Sequence, residues 1–189
     1  MSIKKPSRRS FLKTSATGAA AVAATGSLSA LRAASPVHQG GGKLKVGIVG
    51  VGGRGSGAAV QAIMADKENV LYAAGDAFAD RLEGGLEGIQ KTAEKAERGA
   101  QFDVPVARRF VGLDAIDKVL ATGVDVVLLA TPPGFRPMQI ERAVAKGVHV
   151  FAEKPVAVDA PGIRRVEAAC KLAKAKGISV VSGLCYRYH

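Results

Sequence analysis

Six residues, Gly50-Val51-Gly52-Gly53-Arg54-Gly55, follow directly on the apolar run Lys45-Val46-Gly47-Ile48-Val49 and precede a helical run over Gly57 to Ala65. Glycines in this order between a strand and a helix suit the binding of a dinucleotide pyrophosphate. Gly50 permits the tight turn, Gly52 lets the backbone approach the phosphates, and Gly55 lets the helix pack close on the strand. The helix N-terminus adds unpaired N–H groups and partial positive charge. Gly53 and Arg54 lie in the same loop and count with the cofactor-binding candidates. Asp76 stands 26 residues after Gly50, at the end of the next β-branched run. A carboxylate there can accept the ribose hydroxyls of the adenosine half and repels the 2'-phosphate of NADP, so NAD is the expected cofactor. Arg81 offsets part of that repulsion, which leaves NADP open. A turn residue or a helix cap is the alternative role for Asp76.

Two further segments place chemistry at strand ends. Thr131-Pro132-Pro133-Gly134-Phe135-Arg136-Pro137 has three prolines in seven residues, a stiff loop at the carboxyl edge of a sheet, where ligands sit in open α/β folds. His149-Val150-Phe151-Ala152-Glu153-Lys154-Pro155 ends in an acid, a base and a proline at that same edge, which puts Lys154 over the cofactor cleft. No spacing of Cys, His or carboxylates suggests a metal site.

The elements that must position these residues are short β-branched runs alternating with helix-sized segments. Strands are expected at Leu44 to Val49, Val70 to Ala74, Arg109 to Val111, Val124 to Ala130, His149 to Ala152 and Ser179 to Gly183. Pro137 to Lys146 carries Ile140 and Val144 on one face and stops at Gly147. Another helix opens at Asp159 with Pro161 in its first turn, spaces Ile163, Val166 and Cys170 helically, and ends at Gly177. Within Asp80 to Phe102, Gly84, Gly85 and Gly88 weaken a helix that the charge content favours. Because parallel neighbours need helix-length crossovers, this alternation predicts an α/β fold, a Rossmann-type doubly wound sheet of six parallel strands over residues 44–189.

Ahead of that domain, Ser7-Arg8-Arg9-Ser10-Phe11-Leu12-Lys13 precedes a weakly apolar Ala/Gly/Thr/Ser stretch from Thr14 to Leu31. This is the pattern of a twin-arginine signal peptide, assigned to residues 1–34, with a polar, glycine-rich linker over 35–43. The stretch is a poor membrane span, which wants about 20 strongly apolar residues. The twin-arginine translocase is therefore an expected partner and the periplasm the expected destination. Ser27-Leu28-Ser29 and Ala34 are alternative cleavage points. The leader holds six of the 27 basic residues and no acid, so the net charge of +11 overstates the domain's own. Its remaining bases are scattered without interleaved aromatics, which argues against a nucleic-acid partner. Cys170 and Cys185 are too few for a disulfide framework and are expected to be reduced and packed.

Taken together, the glycine loop, Ala130-Thr131-Pro132-Pro133, Ala145-Lys146-Gly147-Val148-His149-Val150 and Glu153-Lys154-Pro155 resemble the N-terminal part of the Gfo/Idh/MocA family, over about Leu44 to His189. The resemblance implies an NAD(P)-dependent oxidoreductase acting on a sugar or polyol. It places Lys154 near the nicotinamide and substrate as a catalytic residue that would polarise the substrate oxygen, Thr131 to Pro133 beside the cofactor, and Arg187 in the same cleft. Related exported members often carry His where this chain has Gly134. The family's substrate domain, largely antiparallel and holding further catalytic residues, would follow the sixth strand and is absent from this chain. Relatives commonly pair through that second sheet, so the full-length protein is expected to be a homo-oligomer. Two other readings stand beside this one: an exported glycosidase that uses NAD in a transient oxidation, and a truncated dinucleotide-binding module without catalysis.

Overall fold

The computed structural model describes residues 42–187. The predicted signal peptide, most of the predicted linker, Tyr188 and His189 lie outside the described residues. Six parallel strands form one sheet: β1 (Leu44–Val49), β2 (Asn69–Asp76), β3 (Arg109–Val111), β4 (Val126–Leu129), β5 (His149–Ala152) and β6 (Val180–Ser182). Their order is β3-β2-β1-β4-β5-β6, so the direction of winding reverses between β1 and β4. The crossovers are α1 (Gly53–Ala65), α2 (Ala79–Lys95) with the irregular segment after it, α3 (Ala115–Ala121), α4 (Arg136–Lys146) and α5 (Ala160–Ala175).

Strand side chains alternate between two cores, as the period of two requires. Val46, Ile48, Leu71 and Leu128 pack with Ala59 and Ile63 of α1 and with Leu82, Leu86 and Ile89 of α2. Val49, Val127, Leu129 and Val150 pack on the opposite side with Ile116 and Val119 of α3, Ile140 and Val144 of α4 and Ala169 of α5. The β1–β2 register slips by one residue between Val46 and Gly47, so that Tyr72 has no partner on β1. Such a bulge re-aims the residues beyond it. Here it brings Gly75 against Ala115 of α3, where a Cβ would lie 2.8 Å from the Ala115 methyl, and it sets Asp76 at the strand end.

Several boundaries differ from expectation. The first helix begins at Gly53 rather than Gly57, with Gly52 as its N-cap, so Gly53, Arg54 and Gly55 form a helical first turn. Ser56 N–H already reaches the Gly52 carbonyl at 2.8 Å, which closes the turn despite the glycine content. The fourth strand is shorter than Val124 to Ala130, since Val124 is buried against α3 without joining the ladder. The glycine-weakened stretch forms α2 over Ala79–Lys95, because Leu82, Leu86, Ile89 and Ala93 supply a continuous buried stripe. The thiols of Cys170 and Cys185 are exposed, which corrects the expectation that both are packed. Cys170 falls on the solvent side of the α5 stripe defined by Ala169 and Ala173, and Cys185 lies beyond β6.

The three α2 glycines have different surroundings. A Cβ on Gly85 would sit 2.2 Å from the Val51 carbonyl oxygen, whereas nothing lies within 4 Å of one on Gly84 or Gly88. Gly85→Ala is expected to lower stability by about 1–3 kcal/mol through overpacking. Gly84→Ala and Gly88→Ala are each expected to raise it by about 0.5–1 kcal/mol. Urea unfolding of the three variants checks this, and equal effects at all three positions would contradict it.

Candidate functional site

The site grows from the turn between β1 and α1. Gly50 has φ of +90°, a conformation that disfavours any side chain, and a Cβ there would lie 2.7 Å from the Thr131 nitrogen. Gly55 has less room still, since its Cβ would be 1.8 Å from the Gly50 carbonyl oxygen. These two glycines let the turn, α1 and the end of β4 occupy one crowded place. Gly52 and Gly53 are the opposite case, with nothing within 4 Å of a Cβ on either. Their backbone therefore faces open space at the N-terminus of α1, where first-turn N–H groups have no carbonyl within the helix to bond.

Asp76 is buried at the end of β2. Its Oδ2 accepts the Val51 N–H at 2.7 Å and its Oδ1 accepts the Phe78 N–H at 3.1 Å. The carboxylate thus braces the glycine turn from the neighbouring strand. Each oxygen keeps lone-pair capacity beyond the one bond it receives. A cavity of about 390 Å³ opens beside it, bounded by Gly50, Gly52, Asp76, Arg81, Thr131 and Pro132. Phe78, Leu113, Phe135 and Gln139 also line it, and the first two are 66% and 72% exposed. Apolar walls with one carboxylate at the rim suit a flat heterocycle carried on a sugar with free hydroxyls. A second cavity joins Gly52 and Gly53 to Arg81, Asp80 and Gly85. Arg81 borders both.

The loop after β4 is held by its own side chains. Thr131 Oγ1 donates to Gln139 Oε1 at 2.6 Å, and the Pro132 and Pro133 carbonyls accept from Phe135 and Arg136 N–H as α4 begins. At the end of β5, Glu153 is buried and accepts from Arg54 Nε at 2.6 Å. A second Arg54 nitrogen donates to Gln61 Oε1 at 2.9 Å. The Arg54 guanidinium is thereby committed across the sheet end to the segment that carries Lys154. Lys154 itself is exposed, in cis linkage to Pro155. It borders a separate cavity of about 570 Å³ with Gly183, Leu184, Cys185, Tyr186 and Arg187.

The structure thus gathers Gly50, Gly52, Asp76, Arg81, Thr131 and Pro132 around one cavity. Lys154 and Arg187 border another cavity at the end of β5 and β6. Glu153 and Arg54 pair between the glycine turn and the Lys154 segment. Sequence reasoning did not single out Phe78, Leu113, Gln139 or Arg136. Gln139 and Arg136 are buried polar residues on α4, invisible to a reading of apolar periodicity. Arg136 NH1 donates to the Glu153 carbonyl at 2.8 Å and to the Pro155 carbonyl at 2.5 Å. Burial holds its guanidinium below the ordinary arginine range, and the nearby Glu153 carboxylate opposes that shift. Among the described residues no three His, Cys, Asp or Glu side chains cluster as a metal site would require.

Comparison with known proteins agrees with this geometry. The model of an oxidoreductase family with an NAD-binding Rossmann fold, Gfo/Idh/MocA, matches residues 44–183, and a twin-arginine translocation signal matches residues 5–26. No curated protein matches at a significant level. Among solved structures, scyllo-inositol dehydrogenase from Lactobacillus casei with bound NAD(H) and scyllo-inositol is 27% identical with a TM-score of 0.58. The alignment covers 78% of this chain and 38% of that one. An NAD-binding protein from Listeria innocua is 25% identical with a TM-score of 0.55, over 75% of this chain and 35% of that one. A 3-ketoreductase from Actinomadura kijaniata, solved with TDP-benzene and NADP, shares the fold at 23% identity and a TM-score of 0.56, over 77% of this chain and 38% of that one. This chain therefore spans less than half the length of these relatives.

If Asp76 braces the turn, its removal leaves two backbone N–H groups without acceptors. Asp76→Ala is expected to lower stability by about 1–3 kcal/mol. Arg81→Ala, on an exposed side chain of the same cavity, is expected to stay within about 0.5 kcal/mol. Thermal unfolding distinguishes them, and an Asp76→Ala protein as stable as the parent would remove the bracing role.

Proposed function

Because the chain belongs to the Gfo/Idh/MocA oxidoreductase family, whose NAD-binding Rossmann fold its residues 44–183 form, we propose that it is the nucleotide-binding part of an exported enzyme moving hydride between NAD and a sugar or polyol. The observation that carries this reading is the cavity at the reversal of strand order, with a buried carboxylate on one side and the open N-terminus of α1 on the other. Ligands of doubly wound sheets bind at that reversal.

Gly52 and Gly53 would hold the pyrophosphate of NAD, since they leave room for it and the helix N-terminus offers donors and partial positive charge. Asp76 would take the adenosine ribose hydroxyls on the lone pairs that Val51 and Phe78 leave free. Phe78 and Leu113 would cover the adenine, which accounts for two large apolar side chains left exposed at the cavity rim. Thr131 to Pro133 would border the cofactor where it passes the end of β4, and Glu153 and Arg187 would lie toward its nicotinamide end. When bound, the nicotinamide supplies the hydride donor or acceptor. Lys154, exposed at the end of β5, would polarise the substrate oxygen and share in the transfer of its proton as the carbon is oxidised, or in its return in the reverse direction. The inositol dehydrogenase among the structural relatives supports a polyol as the substrate class.

The twin-arginine signal adds a constraint on cofactor supply. That route carries folded proteins, so a domain of this kind would take up NAD in the cytoplasm and cross to the periplasm with it bound. A tight, recycled cofactor follows from that order of events.

Calorimetric titration tests the cofactor assignment. NAD is expected to bind at least tenfold more tightly than NADP, a difference of about 1.4 kcal/mol. Equal or tighter NADP binding would overturn the role given to Asp76, and absence of NAD binding would overturn the reading as a whole. In a protein that includes a substrate domain, Lys154→Ala is expected to lower kcat by about 10²–10⁴-fold while the NAD Kd stays within about twofold. Undiminished turnover would remove Lys154 from the mechanism.

A further inference from the structure

The direction in which Lys154 leaves the sheet is set by a short segment just past the end of β5. The ladder holds it at Glu153, whose N–H donates to the Leu129 carbonyl at 2.9 Å. Beyond that point the strand has ended, and the grip comes from another element. Arg136, the first residue of α4, is 5% exposed, and its NH1 donates to the carbonyls of both Glu153 and Pro155, the two residues flanking Lys154. One nitrogen therefore bonds the Glu153–Lys154 and the Pro155–Val156 peptide units, and so brackets the lysine and the Lys154–Pro155 linkage between them.

A guanidinium is an expensive group to keep in this place. It is removed from water, which disfavours the cation. It stands at a helix N-terminus, where the macrodipole opposes positive charge. Its Nε is buried without a hydrogen-bond partner among the described residues. An unbranched apolar side chain of similar length would fill the space with none of these penalties. Such a side chain could not, however, donate to two carbonyls at once.

We infer that Arg136 is a positioning residue for Lys154, fixing the backbone on both sides of it through the carbonyls of Glu153 and Pro155. Its functional meaning rests on the proton-transfer role proposed for Lys154, while its physical content is independent of any cofactor. Arg54 acts on the same segment from the other side, through the Glu153 carboxylate at 2.6 Å. That bond holds a side chain, whereas Arg136 holds the main chain.

The test uses the full chain with its lysines reductively methylated by ¹³C-formaldehyde, and the Lys154 resonance identified by its loss in Lys154→Arg. In Arg136→Met that resonance is expected to move toward the position of a freely mobile dimethyl-lysine, while those of Lys146 on α4 and Lys171 on α5 stay in place. Arg136→Lys keeps the cation on a shorter side chain that falls short of the two carbonyls, and is expected to recover part of the displacement. A Lys154 signal unmoved in Arg136→Met overturns the inference, as does a displacement shared by all lysines. Should Arg136→Met fail to fold, Arg136→Lys decides alone: a displaced Lys154 signal supports the inference and an unmoved one overturns it. NAD titration of the unsubstituted protein is read separately, so that loss of the cofactor assignment and loss of the Arg136 assignment are distinguishable.

Discussion

The structure depends on one close approach, the packing of the first turn of α1 against the Gly50 carbonyl and the end of β4. With a Cβ on Gly55 only 1.8 Å from that oxygen, no residue but glycine fits without moving the helix away from the sheet. The approach sets α1 over β1 and brings its N-terminus to the reversal of strand order. It also puts the Val51 carbonyl where Gly85 of α2 must pass, so a second helix is committed by the same contact. Close-packed interiors transmit such constraints rather than absorb them.

Around that contact the carboxyl edge of the sheet is tied together by buried polar groups reaching between elements. Asp76 reaches from β2 to the β1–α1 turn, Glu153 from β5 to Arg54 of α1, and Arg136 from α4 to the segment after β5. Gln101 does similar work at the opposite edge, with its Nε2 donating to the carbonyls of Ile63, Asp66 and Asn69. Each is a long-range bond between parts of the chain that hydrophobic burial alone would leave free to slide. Partly satisfied polar groups in a low-dielectric setting are costly, so these bonds select one arrangement of the loops rather than many.

The layers of the fold were legible because the central parallel strands are buried on both faces and announce themselves as apolar, β-branched runs, while Gly147 and Gly177 mark the helix ends before the last two strands. The strand order was not legible in that pattern, because right-handed crossovers suit more than one doubly wound order and the choice among them depends on contacts between distant segments. The start of α1 was not legible, since Gly53 and Gly55 read as loop residues by propensity, while in the structure they are helical because backbone contacts demand it. The helix over Ala79–Lys95 was obscured likewise by three glycines, of which only Gly85 has a packing reason. At the site, motif spacing pointed to Asp76, Lys154 and the glycines. It could not show that Arg54 turns to Glu153 instead of standing free, nor that Arg136 is buried. Those facts depend on rotamers and on contacts between residues far apart in sequence, 99 positions apart for Arg54 and Glu153.

The four glycines of the turn fall into two kinds. Gly50 and Gly55 have no room for a side chain, whereas Gly52 and Gly53 face open space. The chain needs the first pair in order to fold, and the second pair only in order to leave space for something else. A lineage released from its ligand would therefore retain the first two under selection for a folded domain while the other two drifted. Within a single motif, the amino acids found at those two pairs in distant descendants would record separately whether the architecture and the occupant had survived.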